Sequence, residues 1–254
     1  MAKTMRSVAA IGDGKVELVR DVPMPEIGPY EALVKIRRCG FCNGTDFHII
    51  RGEMAVPVGE LPTLIGHENV GEIVQLGSKV RNLNVGDIYM NVPFRLMPGT
   101  RYSKTWGAMS DYGVLQDQQA IREDFMELAD QYLIPQAGAR KLPKDFDLDD
   151  GGVLLTLNEC FSAAKNFHVE GQDVLVYGCG PMGLATMKYM RYLGAKSITA
   201  IDSVDERLAL AQSLSGVDRT INFVKEDKEK ALDGQLFDRV IDLVGLTSII
   251  MEGS

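Results

Sequence analysis

The sequence predicts an α/β plus all-β chain. An N-terminal, partly open β-barrel domain over residues 1–155 precedes an incomplete Rossmann parallel sheet over residues 156–254. Three observations carry this. In the first half the apolar runs are short, often β-branched, and split by Gly, Pro and Asn-Asp turn signals, as in small antiparallel barrels. From Asp173 the rhythm becomes strand, helix, strand, which folds as parallel strands with right-handed crossovers. Between the first of those strands and its helix lies Gly178-Cys179-Gly180-Pro181-Met182-Gly183, the glycine fingerprint of a dinucleotide-binding turn.

The elements follow in order. Ser7 to Ala10, Val16 to Val19 and Ala32 to Ile36 read as strands, separated by Gly12-Asp13-Gly14 and by Pro23 to Pro29. Val70 to Leu76 alternates as a strand does, and Asn84-Val85-Gly86-Asp87 turns the chain into Ile88 to Met90. Glu123 to Tyr132 reads as a short inserted helix, within a stretch from Gln116 to Arg140. Leu148 to Phe167 reads as a helix with an acidic first turn and apolar recurrence at Val153, Leu154, Leu157, Phe161 and Ala164. The second domain then gives strands at Val174 to Tyr177, Ser197 to Ile201, Thr220 to Phe223 and Phe237 to Val244. Helices alternate with them at Met182 to Leu193, Asp205 to Leu214 and Asp227 to Leu232. A full dinucleotide fold has six strands. With four, and only Ile249 to Ser254 beyond, the expectation is a C-terminally truncated sheet.

Composition narrows the function. The 254 residues carry a net charge of −8, which disfavours nucleic acid and anionic membranes as partners. No apolar run is long enough to span a membrane, and no signal segment follows Met1, so the expected location is cytoplasmic. Four cysteines in this length argue against a disulfide framework and leave thiols free for metal or packing.

Cys39-Gly40-Phe41-Cys42-Asn43-Gly44-Thr45-Asp46 followed by Gly66-His67-Glu68 sets a thiol, an imidazole and a carboxylate in order. Sulfur plus imidazole nitrogen is a donor set zinc prefers. Packing competes for several of these residues. Cys39 reads as an apolar strand end, Cys179 as a small side chain in a tight turn, and His168 as a surface or capping residue.

These residues resemble the medium-chain dehydrogenase/reductases, in particular the zinc-dependent alcohol, polyol (sorbitol) and threonine dehydrogenases. The resemblance rests on Gly40-Phe41-Cys42 with Thr45-Asp46, on Gly66-His67-Glu68-Asn69-Val70-Gly71-Glu72-Ile73-Val74, and on the glycine fingerprint. It implies a GroES-like catalytic domain and one catalytic zinc held by Cys42, His67 and Glu159, with Glu68 close by. Glu159 stands in Asn158-Glu159-Cys160-Phe161-Ser162, and Cys160 is the softer alternative next to it. It implies a proton relay through Thr45 and His48, with Asp46 orienting the zinc histidine. Two departures stand out. The loop from Cys42 to Asp46 is one residue longer than the family pattern, an extra residue that Gly44 is expected to absorb as a bulge. Asn91 to Asp111 lacks the cysteines of a second, structural zinc.

In the fingerprint, Gly178 serves the tight turn, Gly180 the approach of pyrophosphate, and Gly183 the helix-strand packing. Pro181 and Met182 open the helix whose free amides face phosphate. Asp202 closes the second strand, where a carboxylate accepts from ribose hydroxyls and repels a 2′-phosphate, so NAD is expected; Arg207 is the residue that opposes this. The resulting expectation is a zinc-dependent oxidoreductase passing hydride from a secondary alcohol, polyol or amino-alcohol to NAD, with the full-length form a homodimer or homotetramer. The alternatives are a truncated, inactive remnant that still binds metal, and a zinc-free, quinone-reductase-like member of the same superfamily.

Overall fold

A hairpin opens the first unit. β1 (Thr4–Gly12) runs antiparallel to β2 (Lys15–Pro23) and turns at Asp13 and Gly14, whose φ values are 52° and 71°. Two residues of positive φ make the turn whose twist matches that of the strands it joins. The computed structural model describes residues 3–54, 60–134, 136 and 138–245. It divides into the compact units Met1–Leu155 and Thr156–Ser254.

The first unit continues with β3 (Glu31–Gly40), α1 (Thr45–Arg51), β4 (Thr63–Leu64), β5 (Glu68–Leu76), β6 (Ile88–Met90) and β7 (Ser103–Lys104). β8 (Tyr112–Gln116), α2 (Gln118–Phe125) and β9 (Arg140–Lys141) complete its strands and α-helices. The strands form two sheets, in the orders β2-β1-β4-β7 and β8-β3-β5-β6-β9, which together make the open half-barrel. The long antiparallel ladder between β3 and β5 ends with Cys39 opposite Asn69 and Gly40 opposite Glu68. Ala32, Val34, Ile73, Val92 and Leu115 are packed behind it.

The second unit holds most of α3 (Leu154–Asn166), then β10 (Asp173–Tyr177), α4 (Pro181–Tyr192), β11 (Ser197–Asp202), α5 (Asp205–Ser215), β12 (Arg219–Asn222), α6 (Lys228–Leu232) and β13 (Arg239–Asp242). All four strands are parallel, in the order β12-β11-β10-β13. The first strand in sequence is thus internal, flanked by the second and the fourth, as in the dinucleotide-binding fold. Val174, Val176, Met187, Met190, Ile198 and Ala200 fill the core between sheet and helices.

Several elements differ from expectation. The inserted helix begins at Gln118 rather than Glu123, because Asp117 caps it: its carboxylate accepts from the Ala120 amide at 3.0 Å. The stretch after it, Met126–Gln131, is a 3₁₀ helix. The helix expected from Leu148 starts as a 3₁₀ helix through Val153, around Gly151 and Gly152, and becomes α-helical only at Leu154. Gly151 lies so close to β5 that a Cβ there would stand 2.2 Å from a Val70 methyl. The fourth parallel strand is shorter than its apolar run and stops at Asp242. Ile249 to Ser254 lie outside the described residues. Among the described residues no helix is long and apolar enough to cross a membrane.

Candidate metal centre

The end of the β3–β5 ladder brings Gly40 beside Glu68, so the chain leaving β3 must turn next to His67 and Glu68. Cys42 lies in that turn. On its far side α1 is anchored by Ile49 and Ile50, which pack with Ala10 and with Ile65, two residues before His67. Gly66 adopts φ +94°, and a Cβ there would meet the Met109 side chain at 2.4 Å, so only glycine fits ahead of the histidine. The result is that Cys42, His67 and Glu68 hold their ligand atoms within 4.8 Å of one another.

Asp46, fully buried on α1, organises this group. Its Oδ2 accepts from the Cys42 amide at 2.9 Å, and its Oδ1 lies 3.5 Å from His67 Nδ1. Both Oδ1 and Nδ1 are buried and have no hydrogen-bond partner among the described residues. The other ring nitrogen, Nε2, faces Glu68 Oε1 at 3.6 Å. The carboxylate of Asp46 raises the pKa of His67 to about 8, against the opposing effect of burial, and Cys42 adds to the rise. The Thr45 amide donates to Cys42 Sγ at 3.4 Å. One sulfur, one imidazole nitrogen turned inward by a carboxylate behind it, and one carboxylate oxygen form a donor set that suits zinc.

The other expected site residues fall into place separately. Thr45 and His48 are three residues apart on α1; His48 is exposed, with Nδ1 3.3 Å from Glu53 Oε2. Gly44 does not form a strand bulge. The chain has already left the sheet, and Gly44 (φ −76°, ψ −80°) takes up the extra residue as the cap of α1. Glu159 and Cys160 belong to the second unit. Glu159 is exposed on α3, whereas Cys160 is fully buried and its thiol faces the Met182 carbonyl at 3.6 Å. Burial also pushes the Cys39 and Cys179 thiols up to about 12, as befits packing residues. His168 is exposed just after α3, at φ +50°.

Trp106, which no motif points to, neighbours the candidate metal group: its ring centroid stands 5.3 Å from that of His67. The available signal in the sequence is that it is the only tryptophan and is followed by glycine.

In the second unit Gly178 has φ +100°, and a Cβ on Gly183 would lie 2.2 Å from the Gly178 carbonyl oxygen. The Gly180 Cα, by contrast, faces open space. Pro181 opens α4, with Met182 half-exposed beside it. Asp202 is buried; one oxygen accepts from the Cys179 amide at 2.7 Å and the other from Val204 at 2.9 Å. This carboxylate therefore braces the glycine turn from β11. Arg207 is exposed on α5.

Comparison with known proteins agrees with both halves. Residues 28–125 match the alcohol dehydrogenase GroES-like domain, and residues 181–252 match the zinc-binding dehydrogenase domain. The chain is 30% identical to an L-threonine 3-dehydrogenase of Shewanella woodyi, covering 90% of this chain and 67% of that protein. It is 33% identical to the L-threonine 3-dehydrogenase of Ruegeria pomeroyi, covering 81% and 59% respectively. The chain thus spans about 60 to 67% of the length of such relatives. Among solved structures, a zinc-binding dehydrogenase from Sinorhizobium meliloti bound to NADP has a TM-score of 0.75 at 22% identity, over 98% of this chain and 72% of that one. Galactitol-1-phosphate dehydrogenase from Escherichia coli has a TM-score of 0.66 at 27% identity, over 93% and 67%. With its GroES-like domain ahead of a parallel-sheet domain, the chain belongs to the zinc-binding dehydrogenase family of alcohol-type oxidoreductases.

Proposed function

We infer that the protein oxidises a secondary alcohol, polyol or amino-alcohol with one zinc and NAD. The observation that carries this reading is the convergence of Cys42, His67 and Glu68 within 4.8 Å. Glu159 completes the proposed ligand set on the strength of the resemblance alone. Zinc supplies Lewis-acid polarisation of the substrate oxygen, and NAD supplies the hydride acceptor. Asp46 holds His67 with Nε2 turned inward. Thr45 and His48 pass the hydroxyl proton toward solvent, which His48 reaches from the exposed side of α1. At the glycine turn, the amides at the start of α4 hold pyrophosphate. Asp202 favours NAD over NADP, since a buried carboxylate repels a 2′-phosphate.

Elemental analysis of the purified protein is expected to give close to one zinc per chain, lost together in Cys42→Ser and His67→Ala. NAD reduction is then followed with L-threonine and with polyols. Zinc content unchanged in both variants, or tighter binding of NADP than NAD, overturns the reading.

A further inference from the structure

Trp106 is held in a conformation that a bulky side chain rarely adopts. Its φ is +65°, and the Gly107 amide bonds back to the Thr105 carbonyl at 2.9 Å, so Trp106 is the middle residue of a γ-turn of the rarer, strained hand. The turn is fixed on both sides. The Thr105 amide donates to Leu64 and the Ala108 amide to Gly66, each at 2.8 Å, and a Cβ on Gly107 would strike the Phe94 ring at 2.5 Å. These bonds tie the turn to the chain that carries His67. The indole leans against the His67 ring at 5.3 Å and an interplanar angle of 49°, yet Trp106 remains 49% exposed. A strained backbone that props the only tryptophan half-open beside the metal group is poorly explained by packing alone.

The charge around it is one-sided. His67 faces a carboxylate on each ring nitrogen, and Cys42 is the third ligand. The Cys42 thiolate and the Asp46 and Glu68 carboxylates by themselves outweigh a divalent ion by one negative charge, and Glu159 of the proposed ligand set adds another. An indole face is the strongest aromatic partner for a cation.

We propose that Trp106 is a specificity-determining residue that selects alcohols carrying a neighbouring ammonium group over polyhydroxy alcohols. The proposal rests on the reading of Cys42, His67 and Glu68 as the substrate-binding metal centre. The ammonium lies over the exposed indole face while the hydroxyl is presented to the metal group. Diols lack the charge and lose that contact.

The test compares 3-amino-2-butanol with 2,3-butanediol, two four-carbon probes that differ only in ammonium against hydroxyl. Both are titrated into zinc-loaded protein by calorimetry, without turnover. Wild type is expected to bind the amine about 3- to 30-fold more tightly than the diol, the span of a cation–π contact. Binding of the amine is also expected to change the fluorescence of the single tryptophan. Trp106→Phe is expected to keep part of the preference. Trp106→Gly, which suits φ +65°, and Trp106→Leu are expected to lose it at unchanged zinc content. A wild-type ratio near one, no detectable amine binding, or a preference that survives in both the Gly and Leu variants overturns the proposal. Zinc content and NAD-linked turnover of wild type report separately on the metal-centre reading, so the two can fail independently.

Discussion

His67 carries a proton that the fold itself holds in place. With Asp46 3.5 Å behind Nδ1, its pKa stands at about 8 instead of 6.5. In zinc-free protein the imidazolium therefore stabilises the folded state. That contribution is complete below pH 6.5 and is lost as pH climbs through 8. A rise of this size corresponds to about 2 kcal/mol. Denaturant midpoints of chelator-treated protein are expected to fall between pH 6.5 and 8.5, and the fall is expected to vanish in Asp46→Asn. A flat profile in wild type refutes the role given to Asp46. Zinc and the proton compete for the same imidazole, so zinc uptake strengthens over the same interval. The convergence of Cys42, His67 and Glu68 is legible in the sequence because the motif is local: Gly66-His67-Glu68 is one tripeptide and Cys42 to Asp46 one loop. Trp106 is not, since its contact with His67 depends on a γ-turn that no periodicity announces.

At the scale of elements, α4 and its glycine turn separate two uses of glycine. Gly183 sits where a Cβ would lie 2.2 Å from the Gly178 carbonyl oxygen, while Gly180 has open space at the same position. Gly183→Ala is expected to push α4 off β10, costing about 1–3 kcal/mol of stability, and to weaken NAD binding with it. Gly180→Ala, at φ −67°, is expected to leave the melting temperature unchanged and weaken NAD alone, because its methyl stands in the path of pyrophosphate. Equal NAD affinity in Gly180→Ala and wild type counts against the nucleotide assignment. The βα units are legible in the sequence because Gly and Asp punctuate short strands, most plainly at the apolar run Val174 to Tyr177 between Asp173 and Gly178. α1 has no signature in the sequence: seven residues after a loop give too little of a helical period. β4, β7 and β9 have two residues each and no period at all. α2 starts five residues earlier than the sequence predicts, because the side chain of Asp117 caps it at Gln118.

Across the whole chain, each unit has its own buried core, one around Val34, Ile73 and Leu115 and one around Val174, Val176 and Ile198. The two candidate groups are built on different elements. Cys42, His67 and Glu68 are pinned by α1 and the start of β5, the glycine turn by β10, α4 and Asp202. A ligand that binds only the folded state slows opening of the elements that hold it, and at about 100 times Kd it adds about a hundredfold protection. Hydrogen exchange is therefore expected to slow with zinc at the amides of 42–49 and 65–70. With NAD it is expected to slow at 178–184 and 202–204, where Cys179 and Val204 donate to Asp202. Amide-resolved exchange, with and without each ligand, reads both effects in a single protein. Zinc protection appearing at 178–184 but not at 42–49 shows that the metal binds elsewhere. NAD protection absent from the glycine turn shows that the parallel sheet is a nucleotide fold without its nucleotide.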